Sequence, residues 1–207
     1  MRYDSIIYDF DGTLSDTYPC FTEAVLETCR HFGVECSYRR AYDLLKISVG
    51  TAIQTIGFGD IPYAEVNRVF HDYHNILAVT DQKPFPEAEP LLREVIARGG
   101  RNIIYSHSGI IVPQLVAIWG WKDLFAGILD GRTKLPRKPA PDGINLICEK
   151  YGLDKEKTLM VGDRDIDIDA GRNAGVDGCL FDPEHYYDSA TADYRVFSLS
   201  DILPIVS

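Results

Sequence analysis

From Glu87 onwards, segments with helical spacing of apolar residues alternate with short apolar segments that are typical of strands. Glycine follows helical segments 87–98, 142–151 and 165–174, at a position where it commonly ends a helix. The predicted order is helix 87–98, strand 102–106, helix 111–119, strand 126–129, helix 142–151, strand 158–162, helix 165–174 and strand 178–181. This alternation predicts an α/β fold, with a doubly wound parallel sheet that carries helices on both faces.

The first part of the chain has a different pattern. Residues 5–10 are a predicted buried strand, which ends at the turn sequence Asp-Gly-Thr. Residues 15–83 have helical spacing and no convincing strand, and the prolines at 84 and 86 then interrupt any helix. We therefore expect two domains: a core formed by residues 1–14 and 84–207, and an inserted α-helical domain formed by residues 15–83.

Composition excludes several classes of protein. A chain of 207 residues with 45% hydrophobic residues can bury roughly 70% of its unfolded surface, so it needs no disulfide staples. The five cysteines form no C-x-x-C pair, which favours a reducing, cytoplasmic location and argues against a zinc site. A net charge of -10 argues against binding to nucleic acid. The sequence contains no apolar run long enough to span a membrane.

Polar side chains of a particular chemistry follow the predicted strands. They are Asp9 and Asp11 after the first strand, Ser106 after the second, Lys138 in the loop before helix 142–151, and Asp163 and Asp167 after strand 158–162. In parallel sheets, ligands bind beyond the carboxyl ends of the strands. Crowded carboxylates repel one another unless a cation neutralises them, and oxygen ligands suit Mg²⁺. A hydroxyl and a lysine beside such a metal indicate a bound phosphate group.

Four motifs built on these residues resemble those of the haloacid dehalogenase superfamily. In chain order they are Asp9-Phe10-Asp11-Gly12-Thr13-Leu14, Ser106 after an apolar strand, Lys138-Pro139-x-Pro141, and Gly162-Asp163-x-x-x-Asp167. The pattern is most similar to the phosphoglycolate-phosphatase-like branch, in which a helical cap stands where residues 15–83 stand here. The resemblance implies a Rossmann-like core and a Mg²⁺-dependent hydrolase that acts on a small phosphorylated metabolite, as a monomer or homodimer.

The resemblance also implies a role for each residue. Asp9 would be the nucleophile that forms an aspartyl phosphate, and Asp11 would protonate the leaving alkoxide and then activate water. Asp9, the backbone carbonyl of Asp11 and Asp163 would bind Mg²⁺, with Asp167 behind them. Ser106 and Lys138 would bind phosphate oxygens, and the backbone N–H groups of Gly12 and Thr13 could add an anion cradle.

Other acidic and basic residues have simpler interpretations. Asp165 and Asp169 fit the ordinary preference of acids for the start of a helix. The run that begins at Asp163 is not a calcium loop, because its sixth and twelfth positions are Ile168 and Ala174 where glycine and glutamate are required. In the helical domain, the candidates for substrate selection are Arg39, Arg40, Lys46, Tyr73 and His74, although such residues commonly form only a solvated face.

Phosphate ester hydrolysis is the favoured reaction, because an alkoxide leaving group needs the acid that Asp11 supplies. A sugar-phosphate mutase would keep the same core motifs and remains an alternative. A phosphorylation-regulated receiver domain fits less well, because this chain has a helical insert after its first strand and a second acidic motif late in the sequence. An inactive binding module is disfavoured, since no core position has been lost.

Overall fold

The structure is a computed structural model that describes residues 1–187 and 191–207. The strands are β1 (Ser5–Tyr8), β2 (Ser15–Asp16), β3 (Lys83–Pro84), β4 (Arg101–Tyr105), β5 (Gly127–Leu129), β6 (Thr158–Gly162), β7 (Asp177–Phe181) and β8 (Tyr194–Val196). The α-helices are α1 (Tyr18–His31), α2 (Tyr38–Ile47), α3 (Val49–Ile56), α4 (Tyr63–Thr80), α5 (Ala88–Ala97), α6 (Ile111–Ile118), α7 (Asp142–Tyr151), α8 (Asp165–Ala174) and α9 (Ile202–Ile205).

A parallel sheet organises most of the chain. Within the described residues it has the strand order β5-β4-β1-β6-β7-β8, and neighbouring strands run parallel. The first strand therefore lies between β4 and β6, and Tyr8 is in register with Ile104 on one side and Val161 on the other. The predicted α/β fold with a doubly wound parallel sheet is confirmed.

The two faces of the sheet carry different layers because successive side chains of a strand point to opposite sides. On one face, Ile7 and Ile103 pack in a buried cluster with residues of α7 and α8, including Ile144. On the other face, the buried amide of Asn102 donates to the carbonyl oxygen of Leu92 in α5, at 2.9 Å. Helices thus cover both faces, and the carboxyl ends of the strands are left to the connecting loops.

The chain divides into two compact units, one formed by residues 1–15 and 84–207 and the other by residues 16–83. We name them the core unit and the helical unit. The helical unit contains α1 to α4, and its interior is a cluster of aliphatic and aromatic side chains that includes Val25, Leu45 and Phe70. The short strands β2 and β3 pair with each other where the chain passes between the units.

The candidates for substrate selection have varied surroundings within the helical unit. Arg39 pairs with Asp43 on the exposed side of α2 at 2.9 Å, and Arg40 donates to the carbonyl oxygen of Thr55 at 3.2 Å. Further contacts involve aromatic rings. The Nζ of Lys46 lies 3.9 Å from the ring centre of Tyr18, and Tyr73 packs against the interior cluster of the helical unit. His74 is buried against Phe21 and Phe70.

The sequence-based predictions differ from the structure mainly at element ends. Helices α7 and α8 and strand β6 have the predicted bounds, whereas the first strand ends at Tyr8 and not at residue 10. The region 15–83 begins and ends in the two-residue strands β2 and β3, where no strand was expected. Neither β8 nor α9 was predicted. Along the part of the chain that the structure describes, no helix combines the length and apolar character needed to cross a membrane.

Candidate active site

Three neighbouring strands deliver polar residues to the same edge of the sheet. Asp9 directly follows β1, and its N–H extends the ladder by donating to the carbonyl oxygen of Val161 at 2.8 Å. Ser106 follows β4 in the same way, with its N–H 2.9 Å from the carbonyl oxygen of Leu129. Asp163 follows β6 directly after Gly162. The strand order therefore brings together side chains that are far apart in the sequence.

Lys138 lies at the centre of this group. Its Nζ donates to Asp9 Oδ1 at 2.7 Å, to Asp167 Oδ1 at 2.7 Å and to the carbonyl oxygen of Tyr105 at 2.9 Å. The ammonium also lies 4.5 Å from the centre of the Tyr105 ring, and the side chain is completely buried. Because an ammonium has three protons, these acceptors satisfy it and hold it in one place.

Asp167 is in place because of the residues around it. It is the third residue of α8, and its Oδ2 accepts the N–H of Arg164 at 3.2 Å, which caps the helix. At Gly162 a Cβ atom would lie 2.2 Å from the Cβ of Asp167, so only glycine allows this side chain to lie against the end of β6. Asp167 thus contacts Lys138 directly, and its expected role behind the site stays a prediction.

The buried charges shift one another's ionisation. Burial raises the pKa of Asp9, and the carboxylates of Asp167 and Asp163 raise it further, while the Lys138 ammonium opposes both effects. Burial alone would lower the pKa of Lys138, but Asp167 and Asp9 outweigh it, so the pKa lies above its ordinary value. Lys138 therefore stays charged at neutral pH.

The carboxyl group of Asp11 is held by two hydroxyl groups. Ser108 Oγ donates to Asp11 Oδ2 at 2.5 Å, and Ser106 Oγ donates to the same oxygen at 3.3 Å. Ser106 Oγ also accepts the N–H of Ser108 at 3.0 Å, so the two serines hold each other as well. Asp11 is thus fixed two residues beyond Asp9 but outside the group around Lys138.

The turn after Asp11 uses the N–H groups that were expected to cradle an anion. Gly12 has a φ of 78°, a conformation that favours glycine, and its N–H donates to the carbonyl oxygen of Ser15 at 2.8 Å. The N–H of Thr13 lies 3.4 Å from the carbonyl oxygen of Phe10, and its hydroxyl lies 3.5 Å from Asp163 Oδ1. In this structure both N–H groups belong to the turn, and Thr13 faces the acids through its side chain.

Sequence reasoning missed two residues that contact this group. Ser108 was not singled out, although its spacing of two from Ser106 was a usable signal. The second residue is His107, whose Nε2 accepts the N–H of Lys138 at 2.9 Å. No sequence signal reveals that contact, because it depends on the path of an irregular loop and not on a strand end.

The acids fit a divalent cation. One carboxylate oxygen each from Asp9, Asp163 and Asp167 lie within 4.8 Å of one another, and all three residues are buried. Lys138 offsets one of these three negative charges, which leaves an excess that a divalent ion would neutralise. An all-oxygen donor set is the chemistry that Mg²⁺ prefers. This cluster could therefore bind Mg²⁺, and it includes Asp167 as well as the two predicted carboxylate ligands, Asp9 and Asp163.

Known proteins resemble this chain over most of its length. A phosphoglycolate phosphatase from Psychrobacter arcticus is 26% identical over 186 residues, covering 83% of this chain and 80% of the relative. A pyrophosphatase PpaX from Oceanobacillus iheyensis is 26% identical over 214 residues, covering 100% of this chain and 98% of the relative.

The fold has close counterparts among solved structures. The crystal structure of a predicted phosphoglycolate phosphatase from Haemophilus somnus superimposes with a TM-score of 0.87 at 20% identity, covering 100% of this chain and 99% of the other. The family model described as haloacid dehalogenase-like hydrolase matches residues 6–181, which include every strand-end residue of the site. The chain belongs to the haloacid dehalogenase-like hydrolase family.

Proposed function

We propose that this hydrolase is a Mg²⁺-dependent phosphatase that cleaves the phosphate monoester of a small metabolite through an aspartyl phosphate on Asp9. One observation carries the proposal: Lys138 holds Asp9 at the centre of a buried acid cluster, while serine hydroxyls hold a second carboxyl group, that of Asp11, nearby. A nucleophile and a separate acid–base group are what this two-step chemistry requires.

Asp9, Asp163 and the backbone carbonyl of Asp11 would hold the cation, with Asp167 beside them. The bound ion would screen the negative charge of the phosphate group and so allow an anionic nucleophile to approach it. Asp167 contacts Lys138 and the N–H of Arg164, so it supports the lysine whether or not it also contacts the ion.

In the first step, a carboxylate oxygen of Asp9 forms a bond to phosphorus as the ester oxygen departs. Asp11 gives its proton to that oxygen, and the product alcohol leaves. In the second step, Asp11 takes a proton from water, the water oxygen bonds to phosphorus, and the bond to Asp9 breaks. Lys138 and Ser106 would stabilise the charge that develops on the phosphate oxygens.

The relatives support a small substrate. They carry the names phosphoglycolate phosphatase and pyrophosphatase PpaX, and each matches most of its own length to this chain. The first name describes a phosphate ester and the second a phosphoanhydride, so both classes belong in the test.

Selection by the helical unit, a cytoplasmic location and a monomeric or homodimeric state stay predictions. All five cysteines are free, as a reducing location requires.

A phosphate-release assay tests the proposal. The purified chain is incubated separately with 2-phosphoglycolate, pyrophosphate and hexose 1-phosphates. Parallel reactions contain either Mg²⁺ or excess EDTA, and the Asp9→Asn variant is the negative control. We expect multiple turnovers on at least one substrate with Mg²⁺, none with EDTA, and recovery when Mg²⁺ is restored.

Other results would contradict the proposal in distinct ways. Full activity in EDTA would remove the metal from the reaction. Conversion of a hexose 1-phosphate into its 6-phosphate without phosphate release would identify a mutase. Uptake of a single phosphate per chain without further release would indicate a receiver domain.

A further inference from the structure

The residues before Lys138 form a loop that is tied to the end of β4 at both ends. Residues 131–137 have no helix or strand and are largely exposed. At the start of the loop, the N–H of Gly131 donates to the carbonyl oxygen of Ser108 at 2.9 Å. A Cβ atom at Gly131 would lie 2.2 Å from the carbonyl oxygen of His107, so the two backbones touch. At the end of the loop, the N–H of Lys138 donates to Nε2 of His107 at 2.9 Å.

The His107 ring is half-buried and packs edge-on against Tyr105, with ring centres 5.7 Å apart. Tyr105 is the residue whose carbonyl oxygen and ring face contact the Lys138 ammonium. The imidazole thus packs against Tyr105, which binds the Lys138 ammonium, while its Nε2 accepts the backbone N–H of the same lysine. His107 therefore contacts the backbone of Lys138 and also the residue that binds its side chain.

The imidazole must be neutral to do this, because a protonated Nε2 accepts no hydrogen bond. Burial lowers the pKa of His107 to about 3, and the positive charges of Lys138, Arg137 and Arg164 lower it too, while Asp167 opposes them. The ring therefore remains an acceptor throughout the range in which enzymes are assayed. Since Nε2 accepts, the ring proton lies on Nδ1.

We propose that His107 is a positioning residue for the phosphate-transfer reaction: by accepting the Lys138 N–H, it fixes the loop that places the ammonium against Asp9. The inference rests on the proposed function for its kinetic consequence, but the hydrogen bond itself can be measured independently. Three consecutive residues would then have three different partners. Ser106 would bind the phosphate group, His107 accepts the N–H of Lys138, and Ser108 donates to Asp11.

Three variants at position 107 separate the effect of the hydrogen-bond acceptor from the effects of the ring and of side-chain length. His107→Phe keeps a ring but removes the acceptor, and His107→Asn keeps an amide that is too short to reach the position of Nε2. His107→Gln can place its carbonyl oxygen near that position. We expect Phe and Asn to lower kcat/KM about 10- to 100-fold, mainly through kcat, because a displaced ammonium no longer holds the nucleophile. The Gln variant should recover most of the loss.

Two readouts do not depend on activity. In ¹⁵N-labelled protein, a scalar coupling across the hydrogen bond should join His107 Nε2 to the amide of Lys138, and the imidazole should not titrate between pH 5 and 8. Thermal unfolding shows whether each variant is folded. If the Phe variant does not fold, the comparison of Asn with Gln decides the question.

Three results would overturn the proposal: absence of the coupling, wild-type kcat/KM in a folded Phe or Asn variant, or equal losses in Gln and Asn. A wild-type chain that releases no phosphate but shows the coupling would instead contradict the proposed function and leave the hydrogen bond in place.

Discussion

The core unit and the helical unit use charge in opposite ways. In the core unit, Asp9, Lys138 and Asp167 are all buried, and Lys138 contacts both carboxylates. In the helical unit, the ion pairs lie on exposed helix faces, such as Arg68 with Asp72 at 2.7 Å, and the interior is aromatic and aliphatic. Burial of charge costs free energy unless the charge is paired, so the core unit retains an arrangement that stability alone would not favour. The comparison teaches that a cluster of buried charges in mutual contact marks the candidate site in the core unit, whereas the ion pairs described for the helical unit are exposed.

The largest effect should come from Asp9→Asn, which changes a charge without changing shape. We expect phosphate release to fall at least about 100-fold, because an amide cannot act as the nucleophile. The metal-free stability should be unchanged or higher, since repulsion with Asp163 and Asp167 is relieved and Lys138 keeps Asp167. Activity assays and urea unfolding in EDTA measure both quantities. Turnover above about 1% of wild type would contradict the assignment of the nucleophile.

The corresponding test in the helical unit is Phe70→Ala in α4, which removes a buried ring and changes no charge. Phe70 is buried and packs against Phe21 and His74. Its truncation should cost about 3–5 kcal/mol of unfolding free energy, because a cavity is left in the interior cluster of this unit. Both tryptophans, Trp119 and Trp121, lie in the core unit.

The position of the tryptophans allows the two units to be followed separately. Urea unfolding of Phe70→Ala monitored by circular dichroism should shift more than the same transition monitored by tryptophan fluorescence. Equal shifts in both signals would show that the two units unfold together. The contrast between the units would then not extend to their stability.

A buried charge outside the acid cluster sharpens the comparison within the core unit. Asp182 accepts the N–H groups of Tyr186 and Tyr187 at 2.7 and 3.2 Å and pairs with Arg195 at 2.5 Å. Burial alone would raise the pKa of Asp182, but these partners hold it below its ordinary value. Asp182→Asn should therefore cost about 2 kcal/mol at pH 7 while leaving the fold intact.

The sign of the pH dependence follows from the lowered pKa. The stability that the Asp182 carboxylate contributes is present above the unfolded pKa of about 4 and is lost as pH falls through the folded value. The difference between wild type and Asp182→Asn in urea unfolding should thus shrink from pH 7 to pH 3.5. A difference that grows toward low pH would show that the carboxylate is not the stabilising form.

The smallest effect should come from Arg68→Ala on the exposed face of α4. Both partners of this pair are more than 60% exposed, at 63% and 61%. Such pairs contribute less than about 0.5 kcal/mol and are screened by salt. Circular dichroism in urea, at low and high salt, measures the effect. A loss above about 1 kcal/mol would contradict the view that charge in the helical unit is superficial.

The sequence predicted elements best where periodicity was long and the ends were marked. Helix α7 ends at a left-handed glycine, Gly152, and its bounds were predicted correctly. Strand β8 was missed because three residues at a sheet edge carry too short a pattern to recognise. The short strands β2 and β3 were missed for the same reason, since neither contains a full alternation.

For the site, the sequence predicted which acids meet but not how the groups between them are held. Asp9, Asp163 and Asp167 were predicted because each follows a strand or begins a helix. The contact of His107 with Lys138 could not be predicted, because it depends on the path of an irregular loop and on one ring rotamer. The Gly12 N–H donates within its own turn, and that hydrogen bond also depends on local geometry that the amino-acid sequence does not reveal.

The central place of β1 in the sheet has a consequence for the order of events during synthesis. Asp9 leaves the ribosome 129 residues before Lys138, and β6 follows later still. The helical unit, in contrast, is one continuous segment that can make its contacts as soon as it emerges. Loops of such length close slowly, and domains assemble in chain order. A nascent chain that has not yet reached α8 would therefore carry Asp9 without the complete set of Lys138, Asp163 and Asp167, and the proposed site would assemble only once α8 has been made.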